Sequence, residues 1–227
     1  MPTRRPLLGA MGKHVVFCDG IDDYAMIQQS DTLTISGDMT LTVMVKLHKY
    51  YLGTKAWILV HRDTNEEADY VLGVSANKFV FTWYGNGSWH DFYFYTNYPL
   101  DEWLIISCVR RGTIAEAYIN GSFLTSQDMG SKADTLPNPI AIGRGFSWHD
   151  FINMEIAYVL IHKNALSNSD IEDLSKALKN WEQNIPITDG LVLGLTPHSL
   201  DCENGIWNDI SGNNNNAILY GARCLWI

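Results

Sequence analysis

Alternation is the feature that most constrains this chain. In Thr40-Leu41-Thr42-Val43-Met44-Val45-Lys46-Leu47 the apolar Leu41, Val43, Val45 and Leu47 stand two residues apart. Successive side chains of a β-strand point to opposite faces, so this spacing puts all four on one face of a half-buried strand. Lys78–Tyr84, Asp91–Thr96 and Ala115–Ile119 repeat the pattern. Turn formers separate them: Ser36-Gly37-Asp38, Gly85-Asn86-Gly87, Arg111-Gly112 and Asn120-Gly121. Asn-Gly between two apolar strands is the strongest hairpin signal present, because both residues accept the positive φ of a tight two-residue turn. Many short antiparallel strands at this spacing build a sandwich or a barrel.

One segment breaks the period. Ser169 with Glu172 three residues later forms a capping-box pattern. Ile171, Leu174, Leu178 and Trp181 then make one apolar stripe, and Pro186 stops it. The spacing predicts a helix over 169–183 whose stripe packs on the sandwich. The tail, 189–227, carries strand candidates at 190–195 and 217–221. Between them, Asp209-Ile210-Ser211-Gly212 and four asparagines, 213–216, read as loop.

Composition decides which partners to expect. With 227 residues, 46% of them hydrophobic and 18% charged, the chain can bury a full core as one domain. A net charge of −9 lacks the basic footprint that nucleic acid or an anionic membrane requires, so neither is expected as a partner. No apolar run approaches the ~18 residues of a membrane span. Leu7-Leu8-Gly9-Ala10, after Arg4-Arg5, is too short for a signal-peptide core, so no Sec signal is expected. Of four cysteines, Cys18 and Cys108 lie in apolar runs and read as buried thiols. Cys202 and Cys224, in the tail, could close a bridge; sequence leaves bridged and free equally open.

The run Phe17-Cys18-Asp19-Gly20-Ile21-Asp22-Asp23-Tyr24 resembles the opening strand of laminin-G-like domains in the concanavalin A-like lectin/glucanase superfamily. Trp103-Leu104-Ile105-Ile106-Ser107 is similar to the family's central tryptophan strand, and Ala117-Tyr118-Ile119-Asn120-Gly121 to its hairpin. Ile140-Ala141-Ile142-Gly143 and the stretch from Ile152 to Ile171 continue the match, in order, over roughly 14 to 175. The resemblance implies an all-β jelly-roll sandwich of two antiparallel sheets, its core spanning 14–165, with one C-terminal helix. The tail adds Gly190-Leu191-Val192-Leu193 and Trp207-Asn208-Asp209-Ile210-Ser211-Gly212-Asn213. They resemble a segment that precedes the opening strand in relatives, so the order looks circularly permuted. Such a tail can fold back on its own chain or complete a neighbour by strand donation, which would make a homo-oligomer. Tethering favours the first.

Glucanases on this fold need two carboxylates close together on one strand face. Asp101-Glu102, Glu66-Glu67 and Asp22-Asp23 are adjacent and point apart on a strand; Glu116 and Glu155 are solitary. No catalytic residue is assigned, and the chain is expected not to be an enzyme. The sequons at Asn86 and Asn120 fall in tight turns and are read as coincidental. The most unusual feature is an internal echo: Ser88-Trp89-His90-Asp91-Phe92 recurs as Ser147-Trp148-His149-Asp150-Phe151. A chance repeat of five residues in a chain this long is on the order of one in a hundred. Each copy follows a glycine-bearing turn. As rim loops 84–91 and 144–151, they would offer an indole for the apolar face of a sugar ring and polar groups for its hydroxyls. The competing reading makes both tryptophans plugs at the edge of the core.

Those six residues, Trp89, His90, Asp91, Trp148, His149 and Asp150, are the candidate ligand set. Calcium is the one implied cofactor: relatives often hold one ion, and Asp19, Asp22 and Asp23, with Asp150, are the candidate ligands. Two functions stay open. One is non-catalytic, lectin-like recognition of a glycan or glycosylated surface. The other is a structural or assembly role, as in a virion or surface-layer subunit, which fits an exterior location reached without a signal peptide.

Overall fold

The computed structural model describes residues 13–52, 55–62, 68–134, 137–145 and 150–227. β1 (His14–Asp19) and β2 (Tyr24–Ile27) precede a 3-10 turn at Asp31–Leu33 and β3 (Met39–Leu47). Next come β4 (Ala56–Arg62), β5 (Ala68–Ser75), β6 (Lys78–Gly85), β7 (Ser88–Thr96), β8 (Trp103–Arg111), β9 (Ile114–Ile119), β10 (Ser122–Asp128), β11 (Ile140–Ile142) and β12 (Asn153–His162). Helix α1 (Asn168–Lys179) leads to the tail strands β13 (Leu191–Leu195), β14 (Leu200–Asp201), β15 (Ile206–Trp207), β16 (Ala217–Tyr220) and β17 (Arg223–Trp226). No helix among the described residues is long and apolar enough to cross a membrane.

Two antiparallel sheets result. One runs β10-β9-β8-β3-β12-β1-β17, with β13 also on β12; the other runs β14-β15-β16-β2-β11-β4-β5-β6-β7. The alternation of β3 is realised as read: Leu41, Val43, Val45 and Leu47 are buried between the sheets. Its other face is buried too. Met44 packs under α1, and the Thr42 and Ser107 hydroxyls share a 2.9 Å hydrogen bond. Asn120 and Gly121 take φ of 52° and 87° in the β9–β10 turn, as the hairpin signal requires.

The helix is shorter than expected and starts earlier. Ser167, not Ser169, caps it: its Oγ accepts from the Asp170 amide, and the Asp170 carboxylate accepts from the Ser167 amide. Asp170 stands two residues before Glu172 and closes the same reciprocal pair. The helix ends at Lys179, and Trp181, with φ 59°, turns back so that its ring meets Trp103 edge-on at 5.2 Å. Ile171, Leu174 and Leu178 are buried against the outer face of the first sheet. That face is therefore covered.

The tail strands pair within the chain. β13 continues the edge of β12 beyond β1, β16 pairs with β2, and β17 pairs with β1. The asparagine run is a clasp. Asp209 Oδ1 accepts from the Gly194 amide, Asn216 Oδ1 accepts from the Asp209 amide, and Asn215 Nδ2 donates to the Val192 carbonyl at 2.9 Å. A disulfide joins Cys202, just past β14, to Cys224 on β17, tying one sheet's edge to the other's. Cys18 and Cys108 are buried thiols whose pKa burial pushes far up.

Candidate functional site

With α1 over the first sheet, the edge strand β7 of the second sheet presents exposed aromatic side chains on its outer side. The sheet's inward residues are set by register: Phe79, Phe81 and Trp83 of β6 and Phe92 and Phe94 of β7 are core. The residues between them must point outward. On β7, the sheet's edge, these are Trp89, Asp91 and Tyr93, paired with Tyr84, Thr82 and Val80 of β6.

The first pentapeptide is thus not a loop. The two-residue turn Asn86-Gly87, with φ of 55° and 78°, is so tight that Ser88 already pairs with Gly85, and the motif becomes the start of an edge strand. Alternation then splits it. Trp89, 37% exposed, meets the Tyr84 ring edge-on at 5.6 Å. Tyr93, 41% exposed, donates its hydroxyl to Asp91 at 2.9 Å. His90 stands on the opposite face, beside Trp83, with Nε2 3.0 Å from the Gly85 carbonyl oxygen. A carbonyl only accepts, so Nε2 carries the proton and the imidazole serves the turn. The structure therefore brings together Trp89 and Asp91, and sets His90 apart from them.

Asp91 is the best-defended polar group on this face. Lys55 Nζ lies 3.1 Å from its Oδ2. Burial pushes the Asp91 carboxyl up, but hydrogen bonds from Thr82, Lys55 and Tyr93, with the Lys55 charge, outweigh it and hold the group below the ordinary aspartate range. It is an ionised acceptor at neutral pH. Burial first, then the Asp91 carboxylate, lifts the Tyr93 hydroxyl to about 12.

Lys55 links this corner to the middle of the sheet. Its ammonium also lies 5.5 Å from the ring centroid of Trp57, which is 8% exposed and packs with Val60, Val71 and Val80. Trp57 can lie flat because its cross-strand partner is Gly73, where any Cβ would strike the indole. The base of the second pentapeptide rests here too. The Gly145 amide donates to the Asp150 carbonyl at 3.2 Å, and a Cβ on Gly145 would collide with Trp57 Cδ1. Trp148 and His149 lie outside the described residues. Asp91 is thus linked through Lys55 to Trp57, and Gly145, hydrogen-bonded to the Asp150 carbonyl, lies against the same indole. Sequence reasoning missed Lys55, Trp57, Tyr84 and Tyr93. The signal for Tyr84 and Tyr93 was there, since they share the alternation parity of Trp89; Lys55 and Trp57 required the sheet order.

Beyond β4 the face continues with the Arg144 guanidinium 4.1 Å from the Tyr24 ring centroid and Tyr24 stacked on Tyr220 at 4.8 Å. The solitary acids are occupied elsewhere: Glu155 by Lys46 at 3.0 Å, Glu116 by Arg111 at 3.2 Å and Asp101 by His48 at 2.7 Å.

Asp19, Asp22 and Asp23 meet in the β1–β2 turn, with carboxylate oxygens within 4.8 Å of one another. Asp19 Oδ1 accepts from the Ile21 and Asp22 amides, and Asp23 Oδ2 from the Asp19 amide. Burial first, then the Asp19 and Asp22 charges, raise the Asp23 carboxyl. A hard cation would relieve that repulsion, so the donor chemistry fits Ca²⁺. Three carboxylates fall short of its six to eight oxygens, and water or backbone carbonyls would have to complete the set.

Against known proteins, a laminin-G-type family model described as the concanavalin A-like lectin/glucanases superfamily matches residues 19–172. No curated protein sequence matches the chain. Among solved structures, a candidate carbohydrate-binding protein from Bacteroides ovatus superposes with a TM-score of 0.72 at 14% identity, over 95% of this chain and 60% of that one. The heptameric SAP-like pentraxin of Limulus polyphemus gives 0.57 at 13% identity, over 73% of this chain and 83% of that one. The binding domain of botulinum neurotoxin DC, solved with SialylT, gives 0.57 at 18% identity, over 77% of this chain and 44% of that one. This chain thus spans 60% of the Bacteroides protein and under half of the toxin domain, and identities this low establish shared fold alone.

Proposed function

The chain belongs to the concanavalin A-like lectin/glucanases superfamily, and from that premise we propose that it is a non-catalytic glycan-recognition domain whose contact face is the outer side of the second sheet. One observation carries the reading. An ionised Asp91, hydrogen-bonded by Lys55 and Tyr93, stands between two exposed aromatic side chains, Trp89 and Tyr93, on the edge strand of the sheet. A pyranose ring presents apolar C–H groups on one face and hydroxyls at its rim. Trp89 would stack on the first, and Asp91 and Lys55 would accept from and donate to the second. Asp150 would extend the contact past Trp57; His90 would act only by fixing the turn. The carbohydrate-binding description of the Bacteroides protein and the toxin domain's complex with SialylT support a saccharide as the partner. Glycosidase chemistry is not supported, because Glu116 and Glu155 are each held in an ion pair and Asp91 is held ionised, which is wrong for a general acid.

The test is a glycan array read with the wild type, Trp89→Ala and Asp91→Asn, each checked by thermal melting. Binding lost in both variants at unchanged melting temperature upholds the reading. Unaltered binding in both moves the site elsewhere. A second reading, self-assembly, has one observation of its own: Phe123 and Leu124 are exposed on β10, the other sheet's edge strand. Size-exclusion at rising concentration would reveal it as a shift that Phe123→Ser reverses.

A further inference from the structure

The sandwich has a second aromatic mouth, at the edge opposite Trp89. His14 pairs with Trp226 across β1 and β17, and Val16 pairs with Cys224. Val16 belongs to the core between the sheets, and cross-strand partners share a face, so His14 and Trp226 have inward parity. At this edge, however, the opposing sheet has run down to the two-residue strand β14. Among the described residues, Trp226 stands 69% exposed, with the His14 ring edge-on at 4.0 Å. The result is a cleft of about 570 Å³, lined by His14 and Trp226 on one side and by His198, Asp201, Glu203 and Asn208 on the other. Its volume falls within the range of small-ligand sites, about 300–1,000 Å³. Cys202, bonded to Cys224, is part of the lining, so the disulfide holds the two walls at a fixed separation.

We propose that this cleft is a second saccharide site, for neutral or amine-bearing sugars, which would make a single chain bivalent. The inference rests on the glycan reading of the fold but uses none of the residues of the first face. An exposed indole this large is costly to keep in water and suits the C–H face of a sugar ring. The fixed charges among the described lining residues are the carboxylates of Asp201 and Glu203, and none of those lining residues is a lysine or arginine. Carboxylates accept from hydroxyl and ammonium groups and repel sialylated or sulfated sugars. Asn204 already holds Asp201 in place, at 2.7 Å from Nδ2 to Oδ2, while Glu203 is exposed and turned to solvent. Two sites at opposite edges of one rigid sandwich would let one molecule cross-link two chains of a glycan.

The experiment uses the full chain on a glycan array, in four forms: wild type, Trp89→Ala, Trp226→Ala and the double variant. Expected is that Trp89→Ala keeps a set of neutral or amine-bearing ligands and that adding Trp226→Ala weakens that set at least tenfold. A second variant, Glu203→Lys, on the Trp89→Ala background should shift the surviving preference toward acidic sugars; its exposed position leaves the fold intact. If Trp89→Ala alone removes all binding, the first face stands and this cleft falls. If Trp226→Ala alone removes all binding, the cleft stands and the first face falls. If the double variant binds like Trp89→Ala, or the wild type binds nothing, the cleft is overturned.

Discussion

Arg110 is a charged residue at the centre of a sandwich, 1% exposed, and its removal should be costly. From β8 its Nε donates to the Gly37 carbonyl at 2.9 Å, Nη1 to the Asp69 carbonyl at 2.9 Å and Nη2 to the Ile35 carbonyl. It thereby pins the segment before β3 to β5. Burial pulls its pKa down to about 10, against the raising effects of Asp69, Tyr70 and Asp38, so it remains charged at pH 7. Arg110→Met keeps length and apolar volume. It leaves two buried carbonyls and one partly buried one without this donor, and it removes the Arg110 charge near the buried Asp69 carboxylate, which lies 3.2 Å from His61 Nδ1. Breaking a buried network on one side costs about 3–5 kcal/mol. In a chain of this size each kcal/mol moves Tm by roughly 2–4 °C, so differential scanning calorimetry at pH 7 should show a fall of about 6–20 °C. Arg110→Lys, which cannot reach three carbonyls at once, should fall between. A Tm within about 2 °C of wild type for Arg110→Met would refute the reasoning, since a single kcal/mol already moves Tm that far.

The Cys202–Cys224 bridge spans a sequence separation of 22, for which loop-closure entropy gives about 3 kcal/mol, so Cys202→Ser with Cys224→Ser should lower Tm by roughly 6–12 °C. An unchanged Tm would mean that β17 docks without it. Calcium at the Asp19, Asp22 and Asp23 cluster should raise Tm in a thermal-shift titration, and Asp22→Asn should erase the rise; a wild type indifferent to calcium assigns these carboxylates to the turn alone. His162 is buried with its pKa lowered, chiefly by desolvation. A depressed folded pKa means that the unfolded chain takes up the proton first, so its contribution is present above about pH 6.5 and is lost as pH falls below it. Melting curves from pH 8 to 5 should show that loss, and it should be smaller in His162→Gln.

The strands were legible because their chemistry is local. Leu41 to Leu47 alternate, Asn120-Gly121 can adopt the turn it needs, and neither depends on distant residues. The helix was legible by its stripe, but its start depended on which of two serines had an acid three residues on that could reach back. Ser167 with Asp170 competed with Ser169 with Glu172, and a one-letter pattern does not separate them. The disulfide was undecidable for the same reason: β14 and β17 meet only when both sheets are assembled. At the site, the repeated pentapeptide marked the right strand and the wrong geometry. Reading Trp89-His90-Asp91 as a loop pooled three side chains that the pleat divides. Lys55 and Trp57 carried no local mark at all, because what places them is the adjacency of β4, β5, β6 and β7.

An indole Nε–H spectrum of the nitrogen-15-labelled protein, recorded while the strongest array saccharide is added, addresses the contact face residue by residue. Trp89 should shift and saturate, while Trp83 and Trp207, sealed in the interior and donating to the Ser131 and Thr196 carbonyls, should not move. A saccharide that binds while the Trp89 signal stays still would contradict the assignment of the second sheet's outer face as the place of contact.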